Sequence, residues 1–388
     1  MKAPAVRMKL ISTHFFASLA VKINEMTMAG KDVIRLDEGS PDLPPPPQVI
    51  QALASSAAKP NHHGYQSHRG TKELREAWAS FYYKYFGVQL DPEKEVLPLI
   101  GSKEGIFHLA QAFIENDDIV LVPDPGYITY WRGTYFAGGK IIAMPLLPEN
   151  NYLPKLDRLP VEIIQQAKII WLNYPNNPTT GVATLDFFIQ AVQFCRKHNL
   201  LLCHDAAYSQ ITFDDYHSPS VLQVPGAKDV AIEFNTLSKS HNMAGWRSAV
   251  GVGNADALNL LYQLKTNTDS GHFLPILEAS VGALNIDQSW LKGRNDVYLE
   301  RRNIVIQGLH EIGLSARIPK ASIYIWSPVP VGWSSLDFAM QALEKSGVSV
   351  TPGTVFGEHG EGFVRISLTA PTDRVAEGME RLKDWLVK

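Results

Sequence analysis

The chain has 388 residues, 45% hydrophobic and 19% charged, which is too apolar for disorder and long enough for a large core shared by two domains. Its 36 Lys and Arg stand against 39 Asp and Glu, a formal net charge of −3 with no basic stripe, so nucleic acid is not an expected partner. The two cysteines, Cys195 and Cys203, lie in apolar text, give no disulfide framework and fit a reducing, cytoplasmic compartment.

At the N-terminus, Lys2, Arg7 and Lys9 precede the stretch Ile11 to Ala20, faintly like a signal peptide but short and broken by His14. Phe15, Phe16, Leu19, Ile23 and Met26 share one helical face, which predicts an amphipathic arm packed on the body or on a second subunit. No run reaches the roughly 18 apolar residues of a membrane helix. Pro44 to Pro47 forces an extended connection. Helices are then expected over Val49 to Ala57 and over Thr71 to Phe86, where Leu74, Ala77, Trp78, Phe81 and Tyr85 form one face. A strand at Glu95 to Ile100 runs into Gly101 and a helix from Lys103 to Phe113. Further strands are read at Ile119 to Val122, Lys168 to Leu172, Leu200 to Cys203, Val230 to Phe234 and Ala249 to Val252, with a helix at Asp186 to His198. Continuous apolar strands separated by helices predict a mostly parallel sheet covered on both faces, with ligands at its carboxyl ends. A long helical stretch follows from Leu277 to Ile312. Beyond it, Ser322 to Trp326 and Phe363 to Leu368 alternate like half-exposed antiparallel strands, with helices at Ser335 to Lys345 and Thr372 to Leu386. This predicts a smaller α+β domain joined by the N-terminal segment: 1–45 as arm and part of the small domain, 46–285 as the large domain, 286–388 as the small one.

The unusual residues fall in the loops at the strand ends. Gly101-Ser102-Lys103 opens a helix, which reads as an N-capped start or a phosphate site. No glycine-rich nucleotide loop is present, and Gly251-Val-Gly253 reads as turn chemistry. Asp205 is either a helix cap or a carboxylate for a cationic ligand group. Lys239, among hydroxyls, is either solvated or a desolvated nucleophilic amine. Arg247 is a surface ion pair or a phosphate clamp. Cys195, His198, Cys203 and His204 have helix-then-strand spacing without tetrahedral closure, so no metal is expected.

Together, Tyr174-Pro-Asn-Asn-Pro-Thr179, Asp205-Ala-Ala-Tyr208, Ser238-Lys239 and Gly245-Trp-Arg247 resemble the class I/II aminotransferases, fold-type-I enzymes that use pyridoxal 5′-phosphate. The order matters, as do the steps of 28 residues from Asn177 to Asp205 and 34 from Asp205 to Lys239. The resemblance covers essentially the whole chain, from Gly39-Ser-Pro-Asp42 to Val364-Arg365-Ile-Ser367, and implies a seven-stranded, mostly parallel central sheet. By the same resemblance, Lys239 is the lysine that links to the cofactor and Asp205 the partner of its ring nitrogen. Asn177 and Tyr208 are similar to the pair on the ring oxygen, and Tyr127 to the stacking aromatic. Ser102, the backbone of Lys103, Ser238 and Arg247 match a phosphate cup, with Thr236 a further donor. Tyr65 resembles the tyrosine that reaches a neighbouring subunit's phosphate, which implies a homodimer with shared sites. Arg365 resembles the binder of the substrate α-carboxylate, and Gly39 the glycine that approaches it. The implied reaction is ping-pong amino transfer between an L-amino acid and a 2-oxo acid, with Lys239 carrying the proton.

Several stretches, among them Leu97 to Gly105, Val122 to Tyr127, Cys203 to Ser209, Asp269-Ser-Gly271 and Thr351-Pro-Gly353, are similar to the LL-diaminopimelate aminotransferases. There are departures. His68-Arg69 stands where that subgroup often has an acid. Pro178-Thr-Thr-Gly181 is one residue longer, and Asp37-Glu-Gly-Ser40 replaces a more apolar segment. Alternatives are a broader aminotransferase for alanine, aspartate, glutamate, methionine or aromatic amino acids, and a carbon–sulfur lyase on the same cofactor. A non-catalytic cofactor-binding domain lacks its expected helix-turn-helix here.

Overall fold

A computed structural model describes Ala5, Arg7, Met8 and residues 15–387. Lys2, Lys9, residues 11–14 and the side chain of Phe16, which belong to the N-terminal reading above, lie outside the described residues.

Twelve strands are described: β1 (Ile34–Arg35), β2 (Val96–Leu99), β3 (Ile119–Asp124), β4 (Lys140–Pro145), β5 (Ala167–Asn173), β6 (Leu201–Asp205), β7 (Ala231–Thr236), β8 (Ala249–Gly253), β9 (Tyr324–Pro328), β10 (Val348–Ser349), β11 (Thr351–Pro352) and β12 (Phe363–Ser367). Seven of them form one sheet in the order β2-β8-β7-β6-β5-β3-β4, in which β8 runs opposite to the other six. The chain is thus α/β with the expected mostly parallel central sheet.

The apolar strand text has a direct physical reading. Successive side chains of a strand point to opposite faces, so a strand buried on both sides must be apolar throughout. In β5, Ile170 and Leu172 enter the core under the helices Lys72–Phe86, Leu185–His198 and Leu274–Leu284. Ile169 and Trp171 enter the opposite core, under Ser102–Phe113, Ile128–Ala137 and Ala255–Thr268. The register places Asn173 beside Asp205 and Asp205 beside Phe234, so the carboxyl ends of β5, β6 and β7 finish nearly level.

A second, antiparallel sheet has the order β11-β12-β9, and β1 pairs in parallel with β10. Their core packs against the helices Gln288–Glu311 and Thr372–Leu386. The helix Phe15–Met28 packs Leu19 and Ile23 against Leu343, so the described part of the arm lies on the body.

Some elements differ from the sequence expectation. β4 has a half-exposed pattern that carries neither a buried-strand run nor a clean alternation. The helices Ile128–Ala137 and Ala255–Thr268 were also not expected. The stretch 277–312 is two helices, because the Asp287 side chain accepts from the Ser289 N–H and starts a new helix. The helix from Ser335 gives way at Ala342–Ser346 to a wider π turn. Among the described residues, no helix is long and apolar enough to cross a membrane.

One charged group lies fully inside the large core. Glu233 on β7 accepts from Tyr82 Oη at 2.7 Å, Ser220 Oγ at 2.9 Å and the Val221 amide at 3.0 Å, and meets His204 Nδ1 at 2.8 Å. Replacing Glu233 with Ala strands these donors, so a loss of about 3–5 kcal/mol is expected in denaturant unfolding. A loss under about 1 kcal/mol would show that the network contributes little beyond packing.

Candidate active site

The level carboxyl ends of β5 to β7 open into a cavity of about 620 Å³, closed on the far side by Tyr324 of β9 and Arg365 of β12. Its walls include the sequence-predicted residues Gly39, Ser102, Lys103, Tyr127, Asn177 and Asp205. Tyr208, Thr236, Ser238, Lys239, Arg247 and Arg365 complete that set. Tyr65 does not line it. Its side chain is 94% exposed on the surface of this chain.

Each group is placed by local structure. Asp205 ends β6, and its Oδ2 accepts from Tyr130 Oη at 2.8 Å while Oδ1 accepts from the Ala207 amide at 3.2 Å. Burial pushes its carboxyl above the usual range, against the pull of Tyr130, the Ala207 amide, His204 and Lys239. Asn173, at the end of β5, donates to the Asp205 carbonyl at 2.8 Å and accepts from the Asn177 amide at 2.8 Å. This ties the loop carrying Asn177 to the β6 end. Thr180, at φ 58°, lets the turn after Asn177 close with Asn176 N–H donating to Gly181 O at 2.9 Å.

Lys239 sits in the short helical turn Leu237–Ser240 after β7. Arg294, buried in the long helix, donates to the carbonyls of Lys239 and Gln210, each at 2.9 Å. The Lys239 ammonium donates to the Gly39 carbonyl. Burial lowers its pKa, reinforced by Arg365 and Arg247 and opposed by Tyr324 and Asp205.

Arg365 Nη1 donates to Asn177 Oδ1 and Nη2 to the Asp37 carbonyl, both at 2.9 Å. Its guanidinium lies 4.1 Å from the Tyr324 ring centroid and 4.7 Å from that of Phe356. Burial alone would raise the Tyr324 phenol, but Arg365, Lys239 and the Tyr208 hydroxyl bring it below its ordinary value. Tyr208 and Tyr324 share a hydroxyl contact of 3.1 Å.

At the other end, Gly101 (φ +84°) caps the helix Ser102–Phe113. Arg247, itself at φ +57°, is 3.5 Å from Ser238 Oγ and donates to Ala244 O at 2.8 Å. Thr236 Oγ1 accepts from the Ser238 amide at 3.1 Å. Burial lowers the pKa of Lys103, and the positive Arg132 and Arg247 lower it further.

Sequence reasoning missed Arg35, Tyr130, Arg294, Tyr324 and Phe356, and noted Asp37, Glu38 and Ser40 only as a departure from more apolar text, without a place in the site. The missed residues lie in no motif-like loop and meet the site through tertiary packing. Arg69 is directed away from the cavity: it lies 4.7 Å from the Tyr262 ring centroid and donates to Glu93 O. His68 contacts the Asp269 carbonyl at 3.0 Å. The only three-ligand cluster among the described residues, Glu104, His108 and Asp269, encloses Lys265, whose ammonium is 2.7 Å from Asp269. His204 is engaged by Glu233 and the Tyr174 carbonyl, and Cys203 is buried beside it.

The model of the family aminotransferase class I and II matches residues 31–382. The chain belongs to this family. LL-diaminopimelate aminotransferase 2 of Trichormus variabilis is 45% identical over 381 residues, 98% of each chain. The LL-diaminopimelate aminotransferase of Moorella thermoacetica is 45% identical over 384 residues, 99% of this chain and 98% of its own. Among solved structures, substrate-bound BacF of Bacillus subtilis aligns with TM-score 0.96 and 34% identity, covering 99% of this chain and 98% of its own. A probable N-succinyldiaminopimelate aminotransferase of Thermus thermophilus aligns with TM-score 0.91 and 35% identity, covering 95% and 99%.

As a class I and II aminotransferase of fold type I, the protein moves amino groups between amino acids and 2-oxo acids with pyridoxal 5′-phosphate. The cavity fits that cofactor. One end gathers a helix N-terminus, the serine hydroxyls and a group of mutually repelling cations, a donor set suited to a phosphate dianion. The other end holds a buried carboxyl, raised by burial, that a cationic ring nitrogen would stabilise. A cradle is also kept open: a Cβ on Gly101 would come within 2.0 Å of Arg247 Nη2.

Replacing Gly101 with Ala displaces Arg247 and strains the left-handed backbone. Cofactor affinity, read by tryptophan quenching, should fall about tenfold or more, the loss of one charge-assisted contact. An unchanged affinity would place the phosphate elsewhere.

Proposed function

We propose that this aminotransferase moves an amino group between LL-diaminopimelate and 2-oxoglutarate, one substrate at a time. The observation that carries it is the convergence of Lys239 and Arg365 on one short segment, residues 37–39, in a chain 45% identical over 98% of its length to an LL-diaminopimelate aminotransferase. An α-amino acid laid along that segment meets an amine at one end and a carboxylate-binding guanidinium at the other.

The phosphate of the cofactor would be held by Ser102, the amide of Lys103, Ser238 and Arg247, with Thr236 as a further donor. Tyr127 would cover the ring, Asn177 and Tyr208 would bond its oxygen, and Asp205 would keep its nitrogen protonated. When bound, the cofactor supplies an electron sink for the pair released at substrate Cα and accepts the amino group. Arg365 orients the substrate carboxylate with a bidentate fork. Gly39 leaves room at that point, since a Cβ there would lie 2.5 Å from Tyr324 Oη. Lys239 takes the Cα proton, and burial favours the neutral amine that this requires. Tyr130 and the Ala207 amide orient Asp205.

Exposed Tyr65 fits a homodimer in which it reaches the partner's phosphate site. Two buried, free cysteines support a reducing, cytoplasmic setting. We place the domain boundaries at 1–45, 46–285 and 286–388.

Ultraviolet–visible spectra of the holoenzyme mixed with single amino acids test the reading. Diaminopimelate and glutamate should each convert the cofactor to its amino form. Conversion by alanine, aspartate or aromatic amino acids without diaminopimelate would replace the reading with a broader aminotransferase. Pyruvate and ammonia from cystathionine would replace it with a lyase. Replacing Arg365 with Leu should raise KM for every α-amino acid by about tenfold or more. An unmoved KM would relocate the carboxylate site.

A further inference from the structure

The same cavity is also lined by charged side chains that the reaction at Cα does not use: Arg35, Asp37 and Glu38. Arg35 grips Asp37 with a fork, Nε to Oδ1 at 2.7 Å and Nη2 to Oδ2 at 2.8 Å. Asp37 is 2% exposed, so the fork fixes the guanidinium. Its remaining nitrogen, Nη1, stands 3.1 Å from Glu38 Oε1, and the Glu38 side chain is 49% exposed. The strap bearing these groups is held by three consecutive carbonyls. Asp37 O accepts from Arg365 at 2.9 Å, Glu38 O from Thr369 Oγ1 at 3.0 Å, and Gly39 O from Lys239. Glu38 is therefore anchored by its backbone between the residues that reach the two reacting ends, while its carboxylate stays adjustable.

Among the lining residues, Asp37 and Glu38 outweigh Arg35, which they flank, and the Glu38 carboxylate stands half-exposed. This excess of acid beside Arg35 disfavours an uncompensated distal carboxylate and favours a distal ammonium.

We propose that Arg35 and Glu38 form the subsite for the distal end of the substrate. Resting on the diaminopimelate reading, the proposal gives that substrate's far zwitterion two partners. Its ammonium takes the Glu38 carboxylate, and its carboxylate takes Arg35 Nη1, so one intramolecular ion pair is exchanged for two intermolecular ones. The distal carboxylate of glutamate takes Arg35 alone. Both substrates thus use one site without a change of the strap, and Glu38 separates them.

The test is steady-state kinetics of the holoenzyme and its Glu38→Gln variant with diaminopimelate and glutamate, each with its 2-oxo acid partner. The amide keeps the shape and loses the charge. The KM for diaminopimelate should rise about tenfold, the loss of one charge-assisted contact, with kcat unchanged. The KM for glutamate should stay level or fall, and Glu38→Asp should recover part of the diaminopimelate loss. Equal changes for both substrates, or a loss of kcat, would mean a disturbed strap and overturn the proposal. An unmoved KM in a variant whose parent turns over diaminopimelate would overturn the subsite alone. A parent that converts other amino acids but not diaminopimelate would overturn the substrate reading and the subsite together.

Discussion

A buried guanidinium must find acceptors or the fold loses several kcal/mol. Arg365 meets that demand with groups from distant parts of the chain: Asn177 from the loop after β5 and the Asp37 carbonyl from the N-terminal segment. Tyr324 and Phe356 cover its faces. One side chain on the small sheet thereby brings the large sheet and residues 37–39 to a common point. The shape of the cavity follows. Gly39 can lie against Tyr324 because it has no Cβ, and Tyr324 in turn contacts Tyr208. Arg365 also depresses the Tyr324 phenol against the effect of burial, so the covering side chain is electrostatically coupled to the guanidinium.

The rest of the site is an arrangement of opposed burial costs. Dehydration raises Asp205 and lowers Lys239, each toward its neutral form. A cationic ring nitrogen would return Asp205 to the carboxylate. Lys239 needs no such return, because its neutral amine is the form that reacts. At the far end, burial and the positive charges of Arg132 and Arg247 lower the pKa of Lys103, and a dianionic phosphate would relieve that repulsion. The protein alone therefore carries unfavourable charge at both ends of the cavity, and one ligand with a phosphate and a cationic nitrogen stabilises both. Binding such a ligand therefore stabilises the fold as well as equipping the site.

Much of this was legible in the text of the chain. β5, β6 and β7 are continuous apolar runs because both faces are covered, and their ends carry Asn177, Asp205 and Lys239 in loops where polar residues need a reason. β4 was not legible, since an edge strand with a half-exposed pattern has no periodic signal. The break at 285–287 was hidden because helical text on both sides outweighed one Asp287 cap. Tyr130, Arg294 and Tyr324 were missed for a different reason. Tyr130 and Arg294 sit in helices and Tyr324 in a strand, where their residue types read as packing or surface charge. They reach the site only through tertiary contacts at Asp205, the Lys239 carbonyl and Arg365. Glu38 stood out as a departure from more apolar text, but its neighbours were not predictable from spacing.

The account depends most on Lys239 as the residue that carries the cofactor. The direct measurement is borohydride reduction of the holoenzyme, proteolysis and mass spectrometry of the peptides. The account predicts one pyridoxyl phosphate adduct per chain, on Lys239. An adduct on Lys103 or any other lysine, with Lys239 unmodified, would contradict it.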